Sequence, residues 1–266
     1  MRNRRVISFV RELFQIYMKK HISRSAAELS YFLTLSVFPT LICLYSIFGG
    51  MIPTHDIIER VFKGVIPTET LDAISGYLDY VRLNSGKSML AGGAVLMASS
   101  SAAAFRSLHN IMAEIQGVPK YRGVGFFAVS FVFSLVFLVV MYFAAVVIVT
   151  GEWFLGILSE FVPVPWDWSW LRFVLLFAVL LLLILGVYRL TSPSGSRGLL
   201  PGAVLSAAAM VIVGMVFSAM VSLSVRYSLV YGSMASMIVL MLWLYFFGNI
   251  LITGNAANFL LRKYWK

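Results

Sequence analysis

The side chains that could do hydrolytic chemistry are few in this sequence and widely separated. The three histidines, His21, His55 and His109, form no H-x-H or H-E-x-x-H pair, and the one cysteine is Cys43. A zinc site needs three or four such ligands brought together. The sequence also has no G-x-S-x-G elbow and no glycine-rich phosphate loop. It therefore predicts no catalytic site, no metal site and no cofactor.

Polar residues inside apolar segments are better candidates, because polarity within a membrane is costly and usually faces protein or a cavity. Pro39, in the middle of such a segment, predicts a helix kink. Glu28 and Arg106 are both expected near the inner leaflet, where we predict that they pair. Hydrogen bonds between helices would explain the serines, and also each asparagine taken alone. The alternative is that these polar residues together line a substrate pathway. The candidates are Glu28, Tyr31, Pro39, Ser99, Ser100, Arg106, Asn110, Asn249, Asn255 and Asn258.

Composition decides the class of protein. Sixty per cent of the 266 residues are hydrophobic and 12% are charged, against about 25% charged in a typical globular domain. A soluble protein of this size could not bury so much apolar surface. The net charge of +10 lies in the termini and short links without a motif that enters a nucleic-acid groove, which argues against nucleic-acid binding.

Six segments are apolar and long enough to cross a bilayer, which takes about 20 residues. They are predicted at 27–52, 88–112, 124–150, 170–190, 199–223 and 229–252. Basic residues are concentrated in the N-terminal arm, in the links after the second and fourth spans and in the tail. Both termini are therefore predicted to be cytoplasmic. The expected fold is an all-α integral membrane protein, a six-transmembrane-helix bundle that forms a single domain over residues 1–266.

Two amphipathic regions lie outside the predicted spans. Residues 1–25 combine apolar residues at helical spacing with several arginines and lysines, which predicts a helix on the cytoplasmic leaflet held by anionic lipid. Residues 53–87 predict short amphipathic helices that cap the outer face. Whether these outer helices rest on lipid or cover a cavity is left open by the pattern.

Small residues at four-residue spacing let helices approach closely in lipid. They predict that the second and fifth spans form the centre of the bundle. The helix-packing candidates are Ala94, Ala98, Ala102, Gly202, Gly214, Ser218 and Gly232.

Three stretches resemble the YihY/BrkB family of bacterial membrane proteins. Residues 26–39 (AAELSYFLTLSVFP) resemble that family's first-span signature, residues 197–203 (RGLLPGA) its R-x-x-x-P-G-A motif, and YGS at 231–233 with LWLY at 242–245 its last span. The family usually continues with G-A-E-L-N, whereas this chain has Ala256 where that acid would stand. The resemblance implies the bacterial cytoplasmic membrane and a transporter-like role, and the missing acid puts any mechanism that needs it in doubt.

The expected function is a membrane permease or a lipid-handling protein of unknown substrate. The alternative is a non-transporting scaffold that recruits partners through its basic arm and outer helices, and an intramembrane enzyme has the least support. A mid-membrane cavity lined by Tyr31, Ser99, Ser100 and Asn249 would favour transport. A solid core with an apolar groove between subunits would favour the scaffold, and homo-oligomerisation is left open.

Overall fold

The computed structural model describes residues 2–48, 68–84, 86–117, 169–191, 198–222 and 235–264, with a few positions between 123 and 132. These residues include seven long α-helices and contain no strand, so the predicted all-helical class is confirmed for them. The helices are α1 (Arg2–Lys19), α2 (Ile22–Phe48), α3 (Thr68–Asn84), α4 (Lys87–Gln116), α5 (Ser169–Thr191), α6 (Leu200–Ser222) and α7 (Ala235–Tyr264).

Four of the described helices are long and apolar enough to cross a membrane. They are α2 over Ile22–Cys43, α4 over Lys87–Gln116, α6 over Leu200–Phe217 and α7 over Met237–Tyr264. These match the predicted first, second, fifth and sixth spans. The fourth predicted span corresponds to α5, whose described apolar part, Phe177–Thr191, is shorter. The third, 124–150, falls largely outside the described residues.

The last helix runs well beyond its predicted end at residue 252. It continues to Tyr264 because its terminal turns are supported rather than frayed. Arg262 and Lys263 lie in the last turn, where positive charge suits the helix dipole. Lys263 also forms a 2.5 Å ion pair with Glu12 of α1.

The N-terminal arm is the amphipathic helix that the sequence predicts. One side of α1, with Leu13, Ile16 and Tyr17, packs against a buried cluster shared by α2, α4 and α7. The adjacent face carries large apolar residues that are more than half exposed. The chain then turns at His21, whose φ of +50° is uncommon for a residue other than glycine.

The helices with the most neighbours in the described part are α7 and α2. Helix α7 packs against α1, α2, α3, α4 and α6, while the main described contacts of α6 are with α5 and α7. The centre at the second and fifth spans stays a prediction, because most of 124–150 lies outside the described residues. Helix α7 has small residues on two faces, with Gly248 against Ala26 of α2 and Gly254 against Gly202 of α6.

Candidate functional site

A groove of about 550 Å³ lies between α2 and α4 near the middle of both helices. One residue of α3 and one of α7 complete its wall. We call it the α2–α4 groove. It is lined by Phe32, Thr34, Leu35, Phe38, Pro39, Ile42, Tyr77, Leu96, Ser99, Ser100, Ala103 and Met237.

Close packing of α2 on α4 places this groove. Beside it Gly93 lies so close to Ile42 that an added Cβ would be 3.0 Å from that side chain. Pro39 lies inside α2, where it removes one backbone hydrogen bond of the helix. Phe38 of α2 contacts Tyr77 of α3 with ring centroids 4.9 Å apart. Helix α3 therefore contributes Tyr77 to the wall of the groove.

Four residues with hydroxyl groups line the groove, Thr34, Tyr77, Ser99 and Ser100. Thr34 donates to the carbonyl oxygen of Ser30 at 2.8 Å. Ser99 and Ser100 donate to that of Leu96 at 3.0 and 2.6 Å. Since these three hydroxyl hydrogens are used within their own helices, the oxygens of Thr34, Ser99 and Ser100 remain available as acceptors. The groove therefore suits a molecule that is mostly apolar and carries a few hydrogen-bond donors.

Other predicted pathway residues lie away from this groove. Tyr31 is half exposed and does not line it. Glu28 and Asn110 are exposed and Arg106 is half-buried. The Glu28–Arg106 ion pair stays a prediction.

Asn249 joins the N-terminal arm to the last helix. Its Oδ1 accepts a hydrogen bond from the Tyr17 hydroxyl at 3.0 Å, and its Nδ2 donates to the carbonyl oxygen of Tyr245 at 3.0 Å. Asn249 is thus in a contact between helices and not in the cavity that the sequence suggested.

A second polar cluster holds α5, α6 and α7 together. Asn258 accepts a hydrogen bond from the Gly202 backbone at 2.7 Å and donates to the carbonyl oxygen of Leu199 at 2.9 Å. The Tyr188 hydroxyl donates to the carbonyl oxygen of Leu251 at 2.8 Å and lies 2.8 Å from the hydroxyl of Ser206. All these groups lie deep between helices, which indicates a structural role.

Asn255 is also buried, and it accepts a hydrogen bond from Nε2 of Gln116 at 3.0 Å. This contact ties α7 to the end of α4. The next residue, Ala256, is fully buried in an apolar cluster with Ile22 and Met112. The position of the family's acid is therefore occupied here by a packing residue.

The small residues of α6 and α7 form a close helix crossing. A Cβ on Gly202 would lie 2.5 Å from both the Asn258 side chain and the carbonyl oxygen of Gly254. Gly214 and Ala102 are buried, and Ala94 and Ala98 are half-buried. Gly232 and the side chain of Ser218 lie outside what the structure describes.

The sequence places Ser206 on the same small-residue stripe as Gly202, whereas sequence reasoning missed Tyr188 and Gly254 in this crossing. An equal spacing of polar and small residues on α6 and α7 could have identified the crossing. Gly202 and Ser206 are four residues apart on α6, and Gly254 and Asn258 are four apart on α7. Two such pairs are what a close crossing of two membrane helices needs.

Within the described ranges, no group of three or more His, Cys, Asp or Glu side chains is placed to hold a metal ion.

Comparisons with known proteins match the chain over nearly its whole length. A family model described as Virulence factor BrkB matches residues 13–266. The ribonuclease-like protein YfkH of Bacillus subtilis strain 168 is 27% identical over 267 residues, which cover 97% of this chain and 96% of that protein. No solved structure matches.

Proposed function

The chain belongs to the virulence factor BrkB family, and from that premise we propose that it is a permease or lipid-handling transporter of the bacterial cytoplasmic membrane. It is a membrane protein with several long apolar helices. The observation that supports transport is the α2–α4 groove. We further propose six spans with both termini in the cytoplasm.

The depth and lining of the groove favour a lipid-like substrate. Ser99 and Ser100 lie near the middle of α4, a helix of 30 residues and hence about 45 Å long. Pro39 is close to the middle of α2. A groove at this depth lies within the hydrocarbon layer, which is about 30 Å thick. Its apolar wall would accept an acyl chain, and its hydroxyl oxygens would accept hydrogen bonds from glycerol or amide groups.

The lining gives little support to an enzyme. Hydrolysis of a phosphodiester or an ester uses a general base or a metal-activated water. The described lining residues include no carboxylate, histidine or lysine. The term ribonuclease-like belongs to the Bacillus relative, and we propose a non-catalytic role for this chain.

Filling the groove tests this proposal. Ala103 lines the groove, whereas Ala91 is exposed on the same helix and does not line it. In vesicles containing the purified protein, we expect a fluorescent phosphatidylglycerol to move between leaflets, as measured by dithionite quenching. Ala103→Trp should reduce this movement to that of protein-free vesicles, and Ala91→Trp should leave it at the wild-type rate.

Two outcomes would contradict the proposal. One is an Ala103→Trp variant that folds and moves the lipid at the wild-type rate. The other is a wild-type protein that moves no more lipid than empty vesicles do, which would favour the scaffold alternative. Gel filtration of each variant in detergent checks that the tryptophan has not unfolded the chain.

A further inference from the structure

A second cavity, of about 490 Å³, lies at the turn between α1 and α2, where both meet α7. We call it the elbow cavity. No described residue lines both this cavity and the α2–α4 groove. Its volume is within the range of small-molecule sites, about 300–1,000 Å³.

The polar groups of the elbow cavity suit an anion. His21 and Arg24 are exposed at its wall. The hydroxyl groups of Ser23 and Tyr245 lie 2.7 Å from each other, and either can donate to an oxygen of a ligand. None of the described lining residues is acidic. A guanidinium group offers paired N–H donors that match two oxygens of a phosphate.

The carboxylate nearest to the turn along α4 is already engaged. Glu114 forms an ion pair with Lys20, with Nζ and Oε1 3.4 Å apart. Lys20 thus offsets this negative charge, and Arg24 is exposed at the wall of the elbow cavity.

An apolar stripe extends from the cavity along α1. It consists of Ile7, Val10, Phe14 and Met18, all more than half exposed. Their spacing of three or four residues places them on one face of the helix. Met18 belongs both to the stripe and to the wall of the cavity. A soluble anion would leave this stripe uncovered, whereas the acyl chains of a lipid would cover it.

We propose that the elbow cavity binds the phosphate headgroup of an anionic phospholipid, whose acyl chains lie along the stripe of α1. Arg24 binds the phosphate oxygens, and whichever of the Ser23 and Tyr245 hydroxyls accepts from the other donates its own hydrogen to the headgroup. The inner leaflet of a bacterial membrane supplies such lipids. The inference rests on the proposed cytoplasmic position of α1 and is independent of transport through the α2–α4 groove.

Lipid binding to the purified full-length chain tests the site. The protein in detergent is titrated with phosphatidylglycerol or phosphatidylcholine, and bound lipids are counted by native mass spectrometry. We expect phosphatidylglycerol to bind more tightly. Arg24→Gln should weaken its binding about tenfold, as expected for loss of a charge-assisted hydrogen bond.

Lys19→Gln is the matched control. It removes the same charge from an exposed residue close to the turn, and Lys19 does not line the cavity. We expect this variant to bind phosphatidylglycerol like the wild type. Tyr245→Phe supplies a second variant of the site and should weaken binding less than Arg24→Gln does.

Three results would overturn the proposal. Equal losses in Arg24→Gln and Lys19→Gln would indicate diffuse attraction to basic charge. Equal binding of the two lipids would remove the selection for an anion. Displacement of the lipid by inorganic phosphate alone would indicate a site for a free anion. Arg24→Gln should still move fluorescent phosphatidylglycerol between leaflets at the wild-type rate, because Arg24 does not line the α2–α4 groove, so failure of the groove proposal can be told apart from failure of this one.

Discussion

A single amide side chain replaces the missing cap at the start of α6. The first backbone N–H groups of a helix lack partners within the helix, and Leu199, just before the helix, has no polar side chain to cap them. Asn258 of α7 supplies the cap by accepting a hydrogen bond from Gly202 and donating one to the carbonyl oxygen of Leu199. The start of α6 thus depends on α7.

The same crossing leaves no room for a side chain at Gly254. A Cβ there would overlap the hydroxyl oxygen of Ser206 and lie 2.6 Å from that of Tyr188. We expect Gly254→Ala to destabilise the protein by about 1–3 kcal/mol through overpacking. The thermal unfolding midpoint in detergent measures the effect.

Gly186→Ala is the control for this substitution. Gly186 lies on α5, and nothing would be within 4 Å of its Cβ. The thermal unfolding midpoint of this variant should be unchanged or slightly higher, because alanine has a higher helix propensity than glycine. Similar losses in the two variants would contradict the close crossing and point to a general effect of removing glycine.

Among the elements, the positions of the spans could be predicted from the sequence. The side of each helix that faces its neighbours could not. Runs of apolar residues located α2, α4, α6 and α7 because length and hydropathy suffice for that. Helix α2 is apolar on most of its circumference, so the pattern did not tell which side faces α4. Of the predicted pathway residues, Ser99, Ser100 and Pro39 line the α2–α4 groove, whereas Tyr31 does not.

Contacts between distant helices were also beyond the sequence. The Tyr188 hydroxyl reaches the backbone of Leu251, and nothing near either residue identifies the other. The last helix continues past the predicted span 229–252 to Tyr264, where Lys263 contacts Glu12 of α1. Supporting groups of this kind come from tertiary packing, which local propensity does not report.

The docking of α1 on α7 should depend on pH through Glu12. Hydrogen bonds from Lys263 and then from Tyr264 hold the pKa of Glu12 below its ordinary value of 4.5. A carboxyl group with a lowered pKa contributes stability above its unfolded pKa, and this contribution is lost as the pH falls through the folded value. We therefore expect α1 to stay docked at neutral pH and to loosen when the pH falls below 4.5.

Spin labels can follow this change. Ile7 on α1 and Gly186 on α5 are both exposed, and the distances between labels at these positions should broaden on acidification. Glu12→Gln should broaden them already at pH 7, whereas Glu114→Gln, which breaks the ion pair with Lys20, serves as the control. A narrow distribution at all pH values in the wild type would contradict a role for Glu12.

At the scale of the whole molecule, several helix ends meet at one end of the bundle. Glu12 of α1 contacts Lys263 near the end of α7, and Lys20 contacts Glu114 near the end of α4. Tyr188, close to the end of α5, bonds both to α7 and to Ser206 in the first turns of α6. The ends of α4, α5 and α7 and the start of α6 therefore belong to the side that carries α1.

This arrangement predicts whether the chain crosses the membrane an odd or an even number of times. Helices α4 and α5 end on the same side, so α5 must begin on the opposite side if it spans the bilayer. We then expect the chain from 117 to 168 to cross the membrane an odd number of times, and the predicted span 124–150 would supply one crossing. With α2, α4, α5, α6 and α7 the proposed total is six. An even total agrees with two chain ends on one side, which we propose is the cytoplasmic side because α1 is basic.

Reporter fusions test the six-span topology directly. Alkaline phosphatase, which is active only outside the cytoplasm, should be active when fused after Thr68 or Trp166 and inactive after Ser194. A fluorescent protein at either terminus should be bright, because it folds in the cytoplasm.

The fusion at Trp166 is the most informative, since it follows the third predicted span and precedes α5. Inactive phosphatase there, together with the expected results elsewhere, would mean that 124–150 does not cross and that α5 does not span. The bundle would then have four spans, and the contacts of α5 with α6 and α7 would be those of a helix lying within the cytoplasmic half of the membrane.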